Sequence, residues 1–135
     1  MRMHLFPVVR SFAVPAGLVL ALQFLPVVPA IAQDPVKVDS KHYKVEFEND
    51  QVRVLRITYG PHEKSVMHEH PANVAVFLTD ANAKFTMPDG KSSAADVKAG
   101  AVKWDAGSKH LPENVGDKPM EVILVELKGK HHAPK

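Results

Sequence analysis

Residues 60–81, GPHEKSVMHEHPANVAVFLTDA, contain the pattern that decides the fold. His68 and His70 are separated by one residue, and side chains at positions i and i+2 of a β-strand point to the same face. The run that follows, Val74 to Thr79, is almost wholly apolar and too short for a helix. This stretch therefore predicts two short strands, the first of which projects a pair of imidazoles together.

Short apolar runs separated by turn residues continue on both sides of this stretch. Turns are predicted at Pro61 to Glu63, Asp80 to Asn82, Asp89-Gly90, Ala106-Gly107 and Gly116 to Pro119. Phe85 and Met87 are expected to begin the strand after the second of these turns, and Asp89-Gly90 is the strongest hairpin signal. About eight short strands without a sustained helical period predict an all-β sandwich or barrel.

A second pattern lies forty residues beyond the first histidine pair. It reads Gly…Gly-x-x-His-x-x-x-Asn and consists of Gly100, Gly107, His110 and Asn114. His110 alone would also fit a turn histidine bonded to a backbone carbonyl. Two histidine patterns in one short chain make metal binding the favoured interpretation.

The two patterns together resemble the two sequence motifs of the cupin superfamily. The first motif of that family is a glycine, His-x-His, a glutamate and a second glycine, which Gly60, His68 and His70 match in part. The second is a glycine followed by Pro-x-Gly-x-x-His-x-x-x-Asn. The resemblance covers roughly residues 43–127 and implies a small jelly-roll β-barrel.

The resemblance also implies a metal site. In cupins the two histidines of the first motif and the one of the second converge inside the barrel, with the glutamate as fourth ligand. Carried over, His68, His70 and His110 become the expected ligands. The chain contains no cysteine, so any metal must be held by nitrogen and oxygen, and three neutral imidazoles suit Zn, Fe, Mn, Ni or Cu.

Three positions depart from the family pattern. The glutamate position falls at Val74, the proline of the second motif is replaced by Asp105, and the closing glycine of the first motif is Ala81. Without the carboxylate the site loses a negative charge and a candidate general base. We therefore expect a three-histidine site with a weakened hold on a divalent cation.

Other polar residues are candidates for a fourth ligand or a supporting position. His62 and Asn73 are the first choices, although a loop histidine is the more common reading of His62 beside a proline. Asn114 is more often a residue that fixes a turn than one that touches a substrate. Glu69 should point away from its histidine neighbours.

The first residues differ in kind from the rest. Arg2 and Arg10 precede an apolar stretch from Phe12 to Val28, and Ala30-Ile31-Ala32 offers the small residues that a signal peptidase reads. This pattern predicts a signal peptide over residues 1–32, cleaved before Gln33. The alternative is an uncleaved anchor, but two prolines and a glutamine interrupt the apolar run.

Cleavage would leave a periplasmic or secreted protein without a membrane span. Residues 33–42 form a polar leader, residues 43–127 the β-domain, and residues 128–135 a flexible tail rich in charge. The net charge of +2 (17 basic and 15 acidic residues) comes entirely from the two arginines of the signal segment. The domain is therefore near neutral, which argues against nucleic acid as a partner.

Three functions are compatible with these features. The first is a metal-dependent oxygenase or isomerase of a small organic molecule, although the sequence shows no further catalytic acid or base. The second is a protein that binds a metal or small ligand without turnover, and the third is a degenerate cupin without metal. No other cofactor is indicated. The resemblance implies a homodimer, since cupins often pair through their sheets. An exposed edge strand, which can pair with another chain unless it is covered, gives this expectation modest physical support.

Overall fold

A computed structural model describes residues 33–129, so the predicted signal peptide and the end of the predicted tail lie outside the described residues. Within this range the chain forms a four-residue helix, α1 (Pro35–Val38), and nine strands. The strands are β1 (Tyr43–Glu48), β2 (Val52–Tyr59), β3 (His68–His70), β4 (Asn73–Phe77), β5 (Ala81–Thr86), β6 (Ser92–Val97), β7 (Val102–Asp105), β8 (Ser108–Asn114) and β9 (Met120–Leu127). The predicted all-β architecture is confirmed.

The strands form two antiparallel sheets. The larger has five strands in the order β1-β2-β9-β4-β7, and the smaller has four in the order β3-β8-β5-β6. The predicted barrel thus takes the form of two sheets that enclose a common core. The last strand, β9, lies at the centre of the larger sheet between β2 and β4.

Strand β9 shows how the sequence produces this arrangement. Side chains alternate between the two faces of a strand, and β9 buries Met120, Val122, Leu124 and Glu126 while the residues between them are only partly covered. Three of these four side chains are apolar and join the core. The fourth places a carboxylate on the inner face.

The core lies between the sheets and draws on both. Its buried apolar residues are Tyr43, Leu55, Ile57, Tyr59, Phe77, Ala81, Ala83, Val97, Met120, Val122 and Leu124. Burial of a side chain such as Leu55, which has no exposed surface, contributes about 1.5–3 kcal/mol to folding. The larger sheet supplies most of the bulky residues, whereas the smaller sheet contributes mainly small ones.

Two of the predicted turns require glycine. Gly90 has φ of +82° in the hairpin between β5 and β6, which confirms the turn at Asp89-Gly90. Gly107, at φ +110°, lies between β7 and β8, and a Cβ there would come within 3.3 Å of the His70 carbonyl oxygen. The turn can therefore approach the end of β3 closely only because residue 107 has no side chain.

The prediction of a turn at Asp80 to Asn82 was wrong by two residues. Strand β5 already begins at Ala81, and it ends at Thr86, so Phe85 lies near its end and Met87 lies outside it. Ala81 and Ala83 are each 2% exposed. These inward-facing alanines pair with β6 and β8 but are too small to read as an apolar strand in the sequence.

Candidate metal centre

The pairing of β3 with β8 brings the three motif histidines together. His68 lies directly opposite His110, and β3 buries His68 and His70 while exposing Glu69. One nitrogen from each imidazole lies within 4.8 Å of the others. The structure thus gathers His68, His70 and His110 into one cluster, and Glu69 points away from it as expected.

Each of these histidines uses Nδ1 for a hydrogen bond to a protein oxygen. The partners are the Val66 carbonyl for His68 at 2.8 Å, Glu126 Oε1 for His70 at 2.7 Å and Ser108 Oγ for His110 at 3.0 Å. The Val66 carbonyl and the Glu126 carboxylate can only accept, and the Ser108 hydroxyl donates its own hydrogen to Asp105 at 3.0 Å. Nδ1 is therefore the donor in each bond, and Nε2 of the neutral ring keeps its lone pair. Metal-binding histidines in proteins are held in the same way, since the second hydrogen bond fixes the tautomer and the ring orientation.

Two of these nitrogens lie close enough to share one positive charge. His68 Nε2 and His70 Nε2 are 3.1 Å apart, a distance at which a proton on one ring makes an N–H···N hydrogen bond and at which a metal ion could bind both lone pairs. With the nearby nitrogen of His110, the cluster has the composition of a three-nitrogen metal site.

The electrostatic environment keeps two of the imidazoles neutral. Burial, followed by the repulsion that a proton on His68 would meet from the neighbouring His70 ring, lowers the pKa of His68 from 6.5 to about 4. The same causes lower the pKa of His110 to about 4. At neutral pH both rings are therefore unprotonated, which is the form that binds a metal.

A buried carboxylate supports His70, and the sequence reasoning missed it. Glu126 on β9 is 1% exposed and reaches across from the larger sheet. Its second oxygen accepts a hydrogen bond from Arg53 Nε at 2.6 Å. Burial alone would raise the pKa of Glu126, but the bonds from His70 and Arg53 outweigh it and lower that pKa. The alternation of Met120, Val122 and Leu124 is the signal that could have placed this carboxylate inside.

Two buried tyrosines complete the polar surroundings. The Tyr43 hydroxyl lies 3.0 Å from His68 Nε2 and 2.7 Å from the Tyr59 hydroxyl. Burial, then the neighbouring Tyr59, raises the pKa of Tyr43 well above 10. This hydroxyl therefore keeps its proton and stands beside the nitrogen of His68 that faces the cluster. Nothing in the sequence singled it out, because it lies outside both motifs.

The cluster opens onto a largely apolar cavity of about 270 Å³. His70, His110 and Tyr43 are among its lining residues, and the rest of the wall comes from apolar side chains of both sheets, including Phe77 and Phe85. A cavity of this volume suits a small ligand. The arrangement could hold a metal ion at one end and an apolar molecule beside it.

The remaining candidates lie in different places. Asn73 is buried on β4 and lines the cavity, where its Nδ2 donates to the Pro71 carbonyl at 2.8 Å. Asn114 is buried too, and its amide holds the turn before β9 by donating to the carbonyls of Gly60 and Lys118. It therefore acts on the backbone and not on the cluster.

His62 is the candidate that the structure moves away from the site. Its side chain is 64% exposed and bonds to Asp117 at 2.8 Å. It sits at φ +58° in the turn after β2, outside the strands that carry the cluster. The structure does not bring His62 to the cluster, and the idea that it supplies a fourth ligand is corrected.

The register of β4 also revises the position of the absent glutamate. Asn73 and Ala75 line the cavity, and the residue between them must point to the opposite face. Val74 therefore faces outward, and a glutamate there would not reach the cluster. The inward position nearest the centre of the strand is Ala75, whose small side chain leaves open space.

The fold and this site together define a small two-sheet β-domain with a three-histidine centre between its sheets. Comparison with solved structures shows which fold this is. The chain is similar to a cupin domain from Bordetella pertussis Tohama I, with 22% identity, a TM-score of 0.60 and coverage of 64% of this chain and 92% of that one. The protein has the cupin fold.

Two further structures agree. An uncharacterised conserved protein with a double-stranded β-helix domain from Klebsiella pneumoniae is 19% identical, with a TM-score of 0.53 and coverage of 69% of this chain and 84% of that one. A cupin family protein with a double-stranded β-helix fold from Methanocaldococcus jannaschii is 18% identical, with a TM-score of 0.51 and coverage of 66% and 83%. No protein-family model and no protein with a curated description matches the chain.

Within residues 33–129, no helix reaches the length and hydropathy that crossing a membrane would require.

Proposed function

We propose that this protein binds a divalent transition metal through Nε2 of His68, His70 and His110, at the end of a cavity that accepts a small apolar molecule. The observation that carries the proposal is the anchoring of all three Nδ1 atoms to protein oxygens. This fixes the tautomers and orients the remaining nitrogens before any metal arrives. Such preorganisation lowers the cost of binding.

The donor set fits such an ion. Three neutral imidazoles bind Zn, Fe, Ni, Cu or Mn to different degrees, and a three-ligand site leaves a coordination position open. When bound, the metal would supply a Lewis acid or a redox centre to a ligand in that position. The apolar wall would exclude water, and the Tyr43 hydroxyl could donate a hydrogen bond to an oxygen of that ligand.

The experiment is elemental analysis of untagged protein, produced from the full-length reading frame and reconstituted with Zn, Fe, Mn, Ni or Cu in turn. We expect close to one equivalent of metal in the wild type and in a His62→Ala control, and a large loss in a His68→Ala/His70→Ala variant. Absence of metal from the wild type in every reconstitution would reject the proposal in favour of a cupin without metal. Equal metal in the double variant would move the site elsewhere.

Azide tests whether the metal keeps an open position. We expect azide to change the visible absorption spectrum of the Co(II)-loaded protein, because a small anion can enter a site with only three protein ligands. An unchanged spectrum at saturating azide would mean that the position is filled.

Catalysis is a second candidate function, as an oxygenase or isomerase of a small molecule. The observation that favours it is the protonated Tyr43 hydroxyl, 3.0 Å from His68 Nε2, which puts a proton donor beside the site. Against it, none of the three β4 residues that line the cavity (Asn73, Ala75 and Phe77) provides a carboxylate base. Turnover that disappears on chelation and falls in Tyr43→Phe would favour an enzyme, whereas stoichiometric binding without turnover would favour a binding protein.

The cellular location and the quaternary state are further parts of the proposal. We infer from the sequence pattern that residues 1–32 are removed on export to the periplasm or the medium, and N-terminal sequencing of the mature protein should begin near Gln33. A start elsewhere would reject this cleavage site. The homodimer that the resemblance implies is tested by sedimentation equilibrium of the purified protein.

A further inference from the structure

The leader segment (residues 33–42) is built onto the domain next to the histidine cluster. Asp34 caps α1 by accepting a hydrogen bond from the Val36 amide at 3.0 Å, and Pro35 is fully buried. The Gln33 carbonyl accepts a hydrogen bond at 3.0 Å from the amide of Glu69. Glu69 is the residue between two of the clustered histidines, so the leader segment runs along the edge of β3 that is not paired with β8.

A continuous chain of charged hydrogen bonds runs from this segment to His70. The Asp34 carboxylate accepts from Arg53 Nη1 at 2.9 Å, and Arg53 Nε donates to Glu126 at 2.6 Å. Glu126 in turn accepts from His70 Nδ1 at 2.7 Å. Charge-assisted bonds of this kind are short and directional, so each group restrains the next.

The charges along this chain affect how strongly Glu126 holds His70. Arg53 is 16% exposed and lies between two carboxylates, with Glu126 on one side and Asp34 on the other. If Asp34 loses its charge, Arg53 is balanced by Glu126 alone and draws that carboxylate's charge away from His70. When the acceptor at Nδ1–H is weaker, the Nε2 lone pair of the same ring is less basic and binds a metal ion less strongly.

The same segment also contacts the surroundings of His68. Asp39 accepts a hydrogen bond from Ser65 Oγ, which lies 3.4 Å from His68 Nδ1. Asp39 also pairs with His42 Nδ1 at 2.7 Å, a contact between two residues of the leader segment that restrains the position of the Asp39 carboxylate. The leader segment thus supports two of the three histidines from outside the motifs.

We infer that the leader segment tunes the affinity of the metal centre, with Asp34 as a positioning residue that acts on His70 through Arg53 and Glu126. This inference rests on the proposed function. It assigns a role to residues that the motif pattern does not include, and it predicts that a change 36 residues away from His70 in the sequence alters the metal site.

The test compares Asp34→Asn with Asp80→Asn in the full-length protein. Asp80 is a close match, because it too accepts one backbone amide (Ala99, 3.0 Å) and one cation (Lys98, 3.1 Å), but it is exposed and belongs to a different part of the fold. Zn(II) affinity is measured by competition with a chelator. Loss of a group that supports a metal-bound histidine costs about 10- to 100-fold in affinity, so we expect about three- to tenfold for Asp34, one step further out. Asp80→Asn should stay within experimental error of the wild type.

A double-mutant cycle distinguishes positioning from a general loss of structure. If Asp34 acts through Glu126, the effects of Asp34→Asn and Glu126→Gln on Zn(II) affinity will be smaller together than their sum. Additive effects would overturn the proposed route, and an unchanged affinity in Asp34→Asn would overturn the inference while leaving the proposed function intact. Arg53→Lys serves as a second variant if Asp34→Asn unfolds.

A readout without metal keeps the inference separate from the proposed function. The imidazole ¹⁵N shifts of His70 in the metal-free protein report how strongly Nδ1–H is engaged by Glu126. They should change in Asp34→Asn and not in Asp80→Asn. Identical His70 shifts in all three proteins would reject the role of Asp34, whether or not the wild type binds metal.

Discussion

Mild acid is expected to destabilise the metal-free protein through its buried histidines. The pKa of His68 is about 4 in the folded protein and 6.5 in the unfolded reference state. Between these values the unfolded chain binds more protons than the folded one, so stability falls as the pH falls. For His68 alone the loss from pH 7.5 to pH 5 is about 2 kcal/mol, and it approaches about 3 kcal/mol below pH 4. His110 adds a loss in the same direction over the same window.

The measurement is denaturant unfolding followed by circular dichroism at several pH values, with a chelator present. His68→Gln should flatten the pH dependence, whereas His62→Gln should keep it, because His62 is exposed and away from the core. Metal at a hundred times its dissociation constant should add about 2.7 kcal/mol at pH 7.5, and this gain should vanish in acid as protons compete for the imidazoles. A stability that is equal at pH 7.5 and pH 5, or an unchanged slope in His68→Gln, would refute the reasoning.

Three other substitutions test separate parts of the structure. Glu126→Gln should weaken Zn(II) binding by about 10- to 100-fold, since the charged acceptor of His70 is lost, and chelator competition would show no change if the carboxylate were idle. Leu55→Ala should lower the free energy of unfolding by about 2–5 kcal/mol through a cavity in the core, and a loss below 1 kcal/mol in denaturant titration would contradict the packing described. Gly107→Ala should cost about 1–3 kcal/mol, because alanine is strained at φ +110° and meets the His70 carbonyl, whereas the same change at Gly129, with open space around it, should have little effect.

The sequence predicted much of the fold because its turns are marked by particular residues. Asp89-Gly90 lies where β5 reverses into β6, and Ala106-Gly107 lies where the chain passes from β7 in the larger sheet to β8 in the smaller one. Apolar runs such as Val122 to Leu127 lie on strands. The turn near Asp80 was misplaced because Ala81 and Ala83 carry almost no apolar signal. Small residues on a buried strand satisfy the packing without producing an obvious alternation.

The candidate site was predictable only where a local pattern records it. His68 and His70 follow from strand alternation, and His110 from the second motif. Glu126 and Tyr43 reach the cluster through pairing of distant strands, and sequence spacing does not record which strands will face each other. The same limitation explains why Val74 was taken as the missing ligand position, since its direction depends on the register of β4.

The central position of β9 in the larger sheet affects the order in which the protein can fold during synthesis. A ribosome releases a chain from its first residue onward, so the strand that joins β2 to β4 is the last of the nine described strands to become available. Until it arrives, the larger sheet is two separate pieces with open edges, and open edges invite pairing with other chains. The same late segment carries Glu126. A truncation that removes β9 would therefore leave β1-β2 and β4-β7 as two separate pairs of strands, because no other strand connects them into one sheet.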